Sequence, residues 1–404
     1  MENLKIVHIA LVGGQTMPVY LAIENSQAEE VVLIHSSETY DKAKILSEDV
    51  SNEWNIPVKL KKFEEVDFFT IKDGFEKLLN EYNGWCIEIN ITSGTKPWTI
   101  AMALLSVGYE NTELIYISQN NKLYNYQTKS IVDIEPLGIK DILTYNQTTN
   151  VKSYTPVDDY TEDDFAYIPD IKELRSNFNR KWFTKNRLDD IFNRLTSSSK
   201  DNPINFNLVR GKYVDSYSGS EIIWDKEFYS EEYKKKVQYV KLHCFDRNHK
   251  NEDEKEFISP HAFDLLTSSG WFEYEVANIL KTNWHSCHDV WMNVVFNYPD
   301  KEKNPQNEID VVAGTGHKVL FVECKTSVAE PTDIDKFASA VKNYGGMAAK
   351  AIFISLEHLK DNAKAKCKTN SITYFSFEGD ENSIDRQNQL FKSLDKIMEI
   401  NNTR

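Results

Sequence analysis

Residues 307–326, NEIDVVAGTGHKVLFVECKT, carry charged side chains in two apolar runs that otherwise resemble buried strands. The first run contains Glu308 and Asp310, and the second contains Glu323 and Lys325. Because side chains alternate across a strand, each pair is expected to share one face of its strand. The two apolar neighbours of Asp310 are then expected to lie together on the opposite face.

A Gly-Thr-Gly-His turn separates the runs and predicts a hairpin in which Asp310 lies beside Glu323. Two adjacent carboxylates in a partly buried sheet repel each other and are poorly hydrated unless a cation lies between them. Oxygen ligands of this type suit Mg²⁺ or Mn²⁺, which activate water and offset charge on a phosphoryl oxygen. Lys325 is expected to orient that water or to neutralise charge on the attacked phosphate. The hairpin therefore indicates metal-assisted phosphodiester hydrolysis, with Asp310, Glu323 and Glu308 as candidate metal ligands and catalytic residues.

The alternative is an edge hairpin whose acidic face is solvated and whose lysine makes a surface ion pair. The surrounding segments favour the catalytic interpretation. Apolar spacing predicts a helix pair over 259–283, a strand over 289–298, the hairpin, a helix over 331–345 and a strand over 350–355. A further strand and a terminal helix follow.

This order of helix, three strands, helix and strand resembles the PD-(D/E)xK nuclease fold. Within it, NEID at 307–310 and ECK at 323–325 match the central motif of those nucleases. The run GWFE, which ends at Glu273, resembles the helix that supplies an additional acidic group in their CRISPR-associated members. The resemblance therefore adds Glu273 to the catalytic candidates.

Residues 1–135 alternate strand-like and helix-like segments, a pattern that predicts βαβ units around a parallel sheet. Ligands of such sheets bind beyond the carboxyl ends of the strands. Three strand ends are small and polar, and the loop at 92–96 also precedes a helix N-terminus, which favours phosphate. The alternative is a tight turn with a solvated lysine. The candidate ligand-binding residues are Gly14, Gln15, Thr16, Ser36, Thr92, Ser93, Gly94, Thr95 and Lys96.

The loop TSGTK at 92–96 resembles the Ser/Thr-Gly-Thr-Lys loop of the CARF domain, the Rossmann-like sensor of type III CRISPR systems. Neither a GxGxxG fingerprint nor a P-loop is present. The resemblance implies a homodimer that binds cyclic oligoadenylate, usually the tetra-adenylate, across its two-fold axis. Together with the C-terminal motifs, it extends to the CARF plus PD-(D/E)xK ancillary nucleases, in which this ligand activates metal-dependent cleavage of DNA, RNA or both.

The predicted fold class is α/β, with two domains joined by a less regular region. An N-terminal Rossmann-like CARF sensor domain with a parallel sheet is assigned to 1–145. A C-terminal PD-(D/E)xK restriction-endonuclease-like domain is assigned to 260–404. Polar, turn-rich sequence from Glu135 predicts a linker or irregular crossover, and 146–259 is assigned to a linker or intermediate region. Within that region Arg180, Lys181 and Trp182 could contact single-stranded nucleic acid, although inward packing of the tryptophan is the commoner arrangement.

Composition sets limits on the class of protein. The chain has 404 residues, 41% of them hydrophobic, and a net charge of −15. This charge argues against a protein that coats DNA irrespective of sequence, because that binding mode needs a basic surface. Five scattered cysteines without a CxxC pair argue against disulfides and zinc. Without a signal peptide or a long apolar run, we expect a cytoplasmic protein without membrane association.

Two functions from different classes are compatible with these features. The first is a nuclease that cyclic oligoadenylate, in particular cyclic tetra-adenylate, activates in type III CRISPR antiviral defence. The second is a cyclic-oligonucleotide-sensing dimer whose C-terminal domain binds nucleic acid without cutting it. The carboxylate and lysine set favours the first, because a domain that only binds has no need of a metal site.

Overall fold

The structure is a computed structural model that describes most of the N-terminal part and most of the C-terminal part of the chain. It describes residues 4–64, 67–118, 122–147, 151–175, 208–214, 221–245, 252–266, 270–297, 307–326, 329–346 and 349–399. The basic segment with Arg180, Lys181 and Trp182 lies outside the described residues. None of the described helices has the length and apolar character that a membrane span needs.

The N-terminal part is a seven-stranded sheet with helices on both faces. Its elements are β1 (Ile6–Leu11), α1 (Met17–Glu24), β2 (Glu30–His35), α2 (Tyr40–Trp54), β3 (Val58–Lys62), α3 (Phe68–Asn80), β4 (Cys86–Asn90), α4 (Lys96–Ser106), β5 (Thr112–Ile117), β6 (Lys122–Asn125) and β7 (Ser130–Asp133). The strand order is β3-β2-β1-β4-β5-β6-β7, and the first five pair in parallel. Because the order reverses at β1 and β4, their following loops flank a crevice.

The middle of the chain is more regular than its sequence suggested. It contains α5 (Ile139–Gln147), β8 (Val151–Pro156), a 3₁₀ turn (Val157–Asp159), α6 (Glu162–Ala166), α7 (Ile168–Arg175), β9 (Arg210–Val214), β10 (Glu221–Ser230), β11 (Lys235–Phe245) and β12 (Glu252–Ser259). The last four strands form an antiparallel sheet of order β12-β11-β10-β9.

The C-terminal part is a mixed six-stranded sheet between helical layers. Its elements are α8 (Ala262–Leu266), α9 (Gly270–Asn283), β13 (Asp289–Phe296), β14 (Asn307–Gly314), β15 (Val319–Lys325), α10 (Pro331–Tyr344), β16 (Ala349–Ser355), α11 (Asp361–Thr369), β17 (Thr373–Ser376) and α12 (Ile384–Met398). The sheet order is β17-β16-β15-β14-β13-β8. The predicted order of helix, three strands, helix and strand is therefore confirmed.

The segment after Glu135 is more ordered than the linker or irregular crossover that the sequence predicted. Strand β8, inside the range assigned to the intermediate region, pairs antiparallel with β13 and extends the C-terminal sheet. Helix α5 packs between the two large sheets, where Ile139, Ile142 and Leu143 are buried in one continuous core. Polar residues hid these elements from a composition argument, because a single buried face is enough to hold a short helix or an edge strand.

Helix α5 ties the N-terminal sheet to the hairpin of β14 and β15. On one side, Tyr145 stacks on Tyr20 of α1 with ring centroids 4.1 Å apart. On the other side, the Leu137 amide donates to the Gly316 carbonyl at 3.0 Å. A Cβ atom at Gly314 would lie 2.8 Å from Ile139, so the helix sits directly against the hairpin. The two large sheets are thus packed into one body rather than joined by a flexible connection.

Candidate active site and sensor loops

The hairpin of β14 and β15 brings the predicted catalytic residues together. Val311 pairs with Val322, so Asp310 and Glu323 are the next residues along the two strands. Instead of a further backbone pair, the Asp310 Oδ2 accepts a hydrogen bond from the Cys324 amide at 2.7 Å. The Lys325 Nζ lies 3.0 Å from the Glu323 Oε1. The three residues therefore meet where the hairpin opens.

The charges at this opening are poorly balanced. Burial, followed by the charges of Glu273 and Glu323, raises the pKa of Asp310 well above its usual range. Burial also raises the pKa of Glu323, although Lys325 opposes that effect. Burial by itself would lower the pKa of Lys325, but the two carboxylates hold it above its ordinary value. The lysine thus stays protonated, and the carboxylates lie where a cation would be stabilised.

The expected alternation of faces breaks at Asp310. The sequence predicted Ile309 and Val311 on one face, but Ile309 packs in the core beneath α10, whereas Val311 packs in the core beneath α9. The prediction that Ile309 and Val311 share one face of the strand was therefore wrong. Asn293, in the neighbouring strand β13, has a positive φ of 52°, which locally rotates the chain.

Glu273 and Glu308 act on different carboxylates of the site, Glu273 on Asp310 and Glu308 on Glu323. Glu273, in the first turn of α9, is near enough for its charge to act on Asp310. Glu308 is exposed and lies near Asp264, and desolvation followed by the charge of Asp264 raises its pKa. Sequence reasoning missed Asp264, as it missed Asp333, whose charge acts on Glu323. Only the fold could reveal these two residues, because neither belongs to a recognisable motif.

Two further polar residues border the site and carried no sequence signal. Asn293 lies opposite Asp310, since Met292 pairs with Val311 and Val294 pairs with Ile309. The Tyr160 hydroxyl accepts a hydrogen bond from the Asn293 side chain. The tyrosine follows the 3₁₀ turn in an acidic run of the intermediate region.

The donor set at the hairpin fits a divalent cation in part. Asp310 and Glu323 offer carboxylate oxygens, which suit Mg²⁺ or Mn²⁺, and their desolvation leaves negative charge for a cation to offset. Within the described residues, no group of three or more His, Cys, Asp or Glu side chains is arranged to hold a metal ion. Asp310 and Glu323 are therefore the two carboxylates that the hairpin offers to a cation.

At the N-terminal sheet, the loop at 92–96 is held in shape by its own polar side chains. The Thr92 Oγ1 donates to the Asn90 Oδ1 at 2.7 Å and accepts from the Ile117 amide at 2.7 Å, which links the ends of β4 and β5. Gly94 has a φ of +90°, and an added Cβ would lie 2.8 Å from the Leu11 Cβ. Thr95 and Lys96, at the start of α4, are exposed.

The loop after β1 is bound to the 92–96 loop. The Ser93 Oγ accepts from the Gly13 amide and donates to the Gln15 carbonyl, both at 3.0 Å. This bridge leaves Gly14 and Gln15 exposed. Thr16 is buried and donates to the Tyr145 carbonyl of α5.

Lys42 of α2 is a neighbour of this loop that sequence reasoning missed. Its Nζ donates to the Gly14 carbonyl at 2.6 Å. Ser36, at the end of β2, bonds locally: its amide donates to the Thr39 Oγ1 at 3.0 Å. The predicted sensor residues therefore divide into exposed groups and groups that shape the loops.

Comparison with known proteins assigns both ends of the chain. A family model described as the Card1 CARF domain matches residues 7–141. A second, described as the Card1-like endonuclease domain, matches residues 262–381. No curated protein matches the chain.

Three solved structures share the fold. Protein VC1899 from Vibrio cholerae has a TM-score of 0.64 and 15% identity, over 96% of this chain and 97% of its own. Can2 from Sulfobacillus thermosulfidooxidans, in complex with cyclic tetra-adenylate, has a TM-score of 0.61 and 16% identity. That match covers 97% of this chain and 99% of the Can2 chain. A type III CRISPR defence DNA nuclease activated by cyclic oligoadenylate has a TM-score of 0.53 and 14% identity, over 98% of this chain and 52% of its own.

The fold class and the nuclease interpretation predicted from the sequence are confirmed by these matches. The two family models cover separate segments, and the structure gives each segment its own large sheet. The chain therefore joins a segment that matches the Card1 CARF domain to a segment that matches the Card1-like endonuclease domain.

Proposed function

We propose that this endonuclease is a homodimer that binds cyclic oligoadenylate, most simply cyclic tetra-adenylate, and then cleaves DNA, RNA or both in type III CRISPR antiviral defence. The observation that carries the proposal is the group of Asp310, Glu323 and Lys325 at the opening of one hairpin, in a chain with a CARF domain. We place this activity in the cytoplasm, where such a nuclease would meet invading nucleic acid.

The residues of the hairpin suit hydrolysis of a phosphodiester. Asp310 and Glu323 would hold Mg²⁺ or Mn²⁺, which supplies a Lewis acid for water and phosphate. Lys325 keeps its proton because two carboxylates face it, so its ammonium group can neutralise charge on the attacked phosphate. Glu273 adds negative charge beside Asp310, and this charge would further stabilise a bound cation. Glu308, being exposed near Asp264, would act at the edge of the site.

Helix α4 supports a two-fold arrangement of the sensor. Ile100, Leu104 and Val107 are 51%, 59% and 86% exposed, although they are apolar. Their spacing places them on one helix face, together with Lys96 one turn earlier. If two copies paired through this face, both Lys96 side chains would approach the axis, where a cyclic oligonucleotide with internal symmetry fits.

Helix α5 offers a route by which the ligand would act on the nuclease. It bonds to Thr16 at the sensor loop and packs against the β14–β15 hairpin. A ligand activates only if it binds the active arrangement more tightly than the resting one. A shift of α5 relative to the hairpin would alter the opening at which Asp310 and Glu323 lie.

A cleavage assay tests the proposal. Purified protein is incubated with plasmid, labelled single-stranded DNA or labelled RNA, with and without cyclic tetra-adenylate and Mn²⁺. We expect cleavage only when ligand and metal are both present, and none by the Asp310→Ala or Lys325→Ala variants. Absence of cleavage under every combination would instead favour the non-cleaving nucleic-acid-binding alternative.

A further inference from the structure

The neighbouring strand β13 changes face beside Asp310. Val290 and Met292 pack beneath α9, whereas Val294 and Phe296 pack beneath α10, so the side chains switch cores at Asn293. Strand β14 switches cores at Asp310, the residue opposite. The pairing of β13 with β8 also shifts between Met292 and Val295. Asn293 and Asp310 are therefore the two residues at a shared irregularity of the sheet.

Tyr160 lies against this irregularity from the intermediate region. Its ring is stacked between His261 and Tyr274, with centroid distances of 4.0 Å and 4.6 Å. Its hydroxyl oxygen accepts from the Asn293 side-chain amide. Glu273, which acts on Asp310, and Asp264, which acts on Glu308, both act on this hydroxyl as well. The charges of Glu273 and Asp264 therefore both reach Tyr160.

We propose that Asn293 is a further member of the nuclease site, where its amide oxygen completes the metal-binding oxygens, and that Tyr160 is the residue that positions it. This inference rests on the proposed metal-dependent cleavage. The Asn293 N–H is engaged by Tyr160, so the amide oxygen is directed away from the tyrosine. An amide oxygen is an accepted ligand of Mg²⁺ and Mn²⁺, and it adds no charge where Asp310, Glu273 and Glu323 already repel one another.

A purely conformational role for Asn293 makes a different prediction. Asparagine tolerates a positive φ better than most residues, and this alone would explain its presence at the irregularity. Glycine tolerates the same conformation and has no amide side chain. Asn293→Gly therefore separates the two roles. If the amide acts, this variant cleaves about 10- to 100-fold more slowly and binds Mn²⁺ correspondingly more weakly, with little change in melting temperature.

Tyr160→Phe tests the positioning role. It keeps the ring stack with His261 and Tyr274 and removes only the hydroxyl. We expect kcat to fall about tenfold at unchanged KM, and the double variant with Asn293→Gly to be no slower than Asn293→Gly alone, because the tyrosine acts through the asparagine. Tyr154→Phe is the matched control. That tyrosine stacks on Trp291 in the same sheet, is 42% exposed, and its variant should behave as wild type.

Titration of the apo protein with Mn²⁺, followed by calorimetry without substrate, separates this inference from the proposed function. If the wild type does not cleave but Asn293→Gly still weakens Mn²⁺ binding, the proposed function fails, and the role of Asn293 in metal binding alone stands. Wild-type cleavage and wild-type Mn²⁺ affinity in Asn293→Gly would overturn the inference. If that variant does not fold, Tyr160→Phe decides, and unchanged kcat and Mn²⁺ affinity in it would have the same consequence.

Discussion

The sensor loops and the nuclease hairpin use polar residues in opposite ways. In the sensor loops, Thr92 and Ser93 bond to neighbouring strand ends and backbone, so their polar groups are mutually satisfied. In the hairpin, Asp310 and Glu323 are desolvated and share one close cation, Lys325. The first region is a shaped surface, and in the second two buried carboxylates face a single lysine.

This difference predicts how each region responds to mutation. Removing an exposed sensor group should weaken ligand binding and leave the fold unchanged, whereas removing a loop-shaping group should cost stability. At the hairpin, removing a repelling carboxylate should abolish catalysis and stabilise the metal-free protein. Activity and stability should therefore move in opposite directions at the candidate nuclease site.

The largest effect is expected for Asp310→Asn. Its side-chain oxygen can still accept from the Cys324 amide, but it carries no charge, so cleavage should fall by about 10³-fold or more. Because burial and nearby carboxylates raise the pKa of Asp310, the wild type should lose stability as the pH rises above the ordinary range of aspartate. The metal-free variant should melt at a higher temperature than wild type at pH 8. A lower melting temperature would contradict the electrostatic account of the hairpin.

The next effect concerns the exposed apolar face of α4. Leu104→Glu places a charge in the proposed dimer interface and should weaken self-association by more than about 30-fold. Ligand activation should be lost with it, while Mn²⁺ binding at the hairpin stays intact. Light scattering after gel filtration measures the mass. Ile131→Glu is the matched control, because Ile131 on β7 is equally exposed at 59% but lies on another surface. An unchanged dimer in Leu104→Glu would place the interface elsewhere.

A smaller effect is expected in the 92–96 loop. Lys96→Ala removes an exposed cation and should weaken cyclic tetra-adenylate binding by about 10- to 100-fold without changing the melting temperature. Thr92→Val, in contrast, removes the link between β4 and β5 and should destabilise the domain by about 1–2 kcal/mol. Calorimetric ligand titration and thermal melts measure the two quantities. Equal ligand affinity in wild type and Lys96→Ala would move the ligand site away from this loop.

The smallest effect is a pH dependence at the back of α9. Glu275 bonds to Lys172 of α7, which also bonds to Glu381 at 2.5 Å, and burial raises the pKa of Glu275 to about 7. The folded state then holds a proton that the unfolded state releases near pH 4.5, so stability is lost as the pH rises from about 4.5 to 7. Glu275→Gln should make the melting temperature less dependent on pH across that range. An unchanged slope would show that Lys172 keeps the carboxylate ionised.

Much of the geometry of the candidate nuclease site was predictable, because its key relations are local. Glu323 and Lys325 are two positions apart on one strand, and a short turn sets the partner of Asp310. The position of Glu308 was not predictable in the same way. Regular alternation placed it with Asp310, whereas the switch of faces sets it beside Asp264. That switch depends on the backbone of Asn293 in another strand, which no local pattern reveals.

The sensor loops show the same division. The sequence indicated small polar residues at the ends of parallel strands, and the strand order brings β1 and β4 side by side. It did not distinguish Thr16, which is buried and bonded to α5, from its exposed neighbours Gly14 and Gln15. The difference depends on α5, a helix within the segment whose composition suggested a linker. Packing between distant segments decided which hydroxyls face the solvent.

By itself, the sequence determined the α/β class, the two large domains and the hairpin that carries Asp310, Glu323 and Lys325. Periodicity and spacing suffice for these because they follow from the geometry of single strands and helices. The tertiary structure alone decided that β8 and α5 join the sheets, and that Tyr160 and Asn293 border the candidate catalytic carboxylates. Asn293 is only 17 positions from Asp310, but the other relations join residues more than a hundred positions apart, and only the packing of the whole chain brings these into contact.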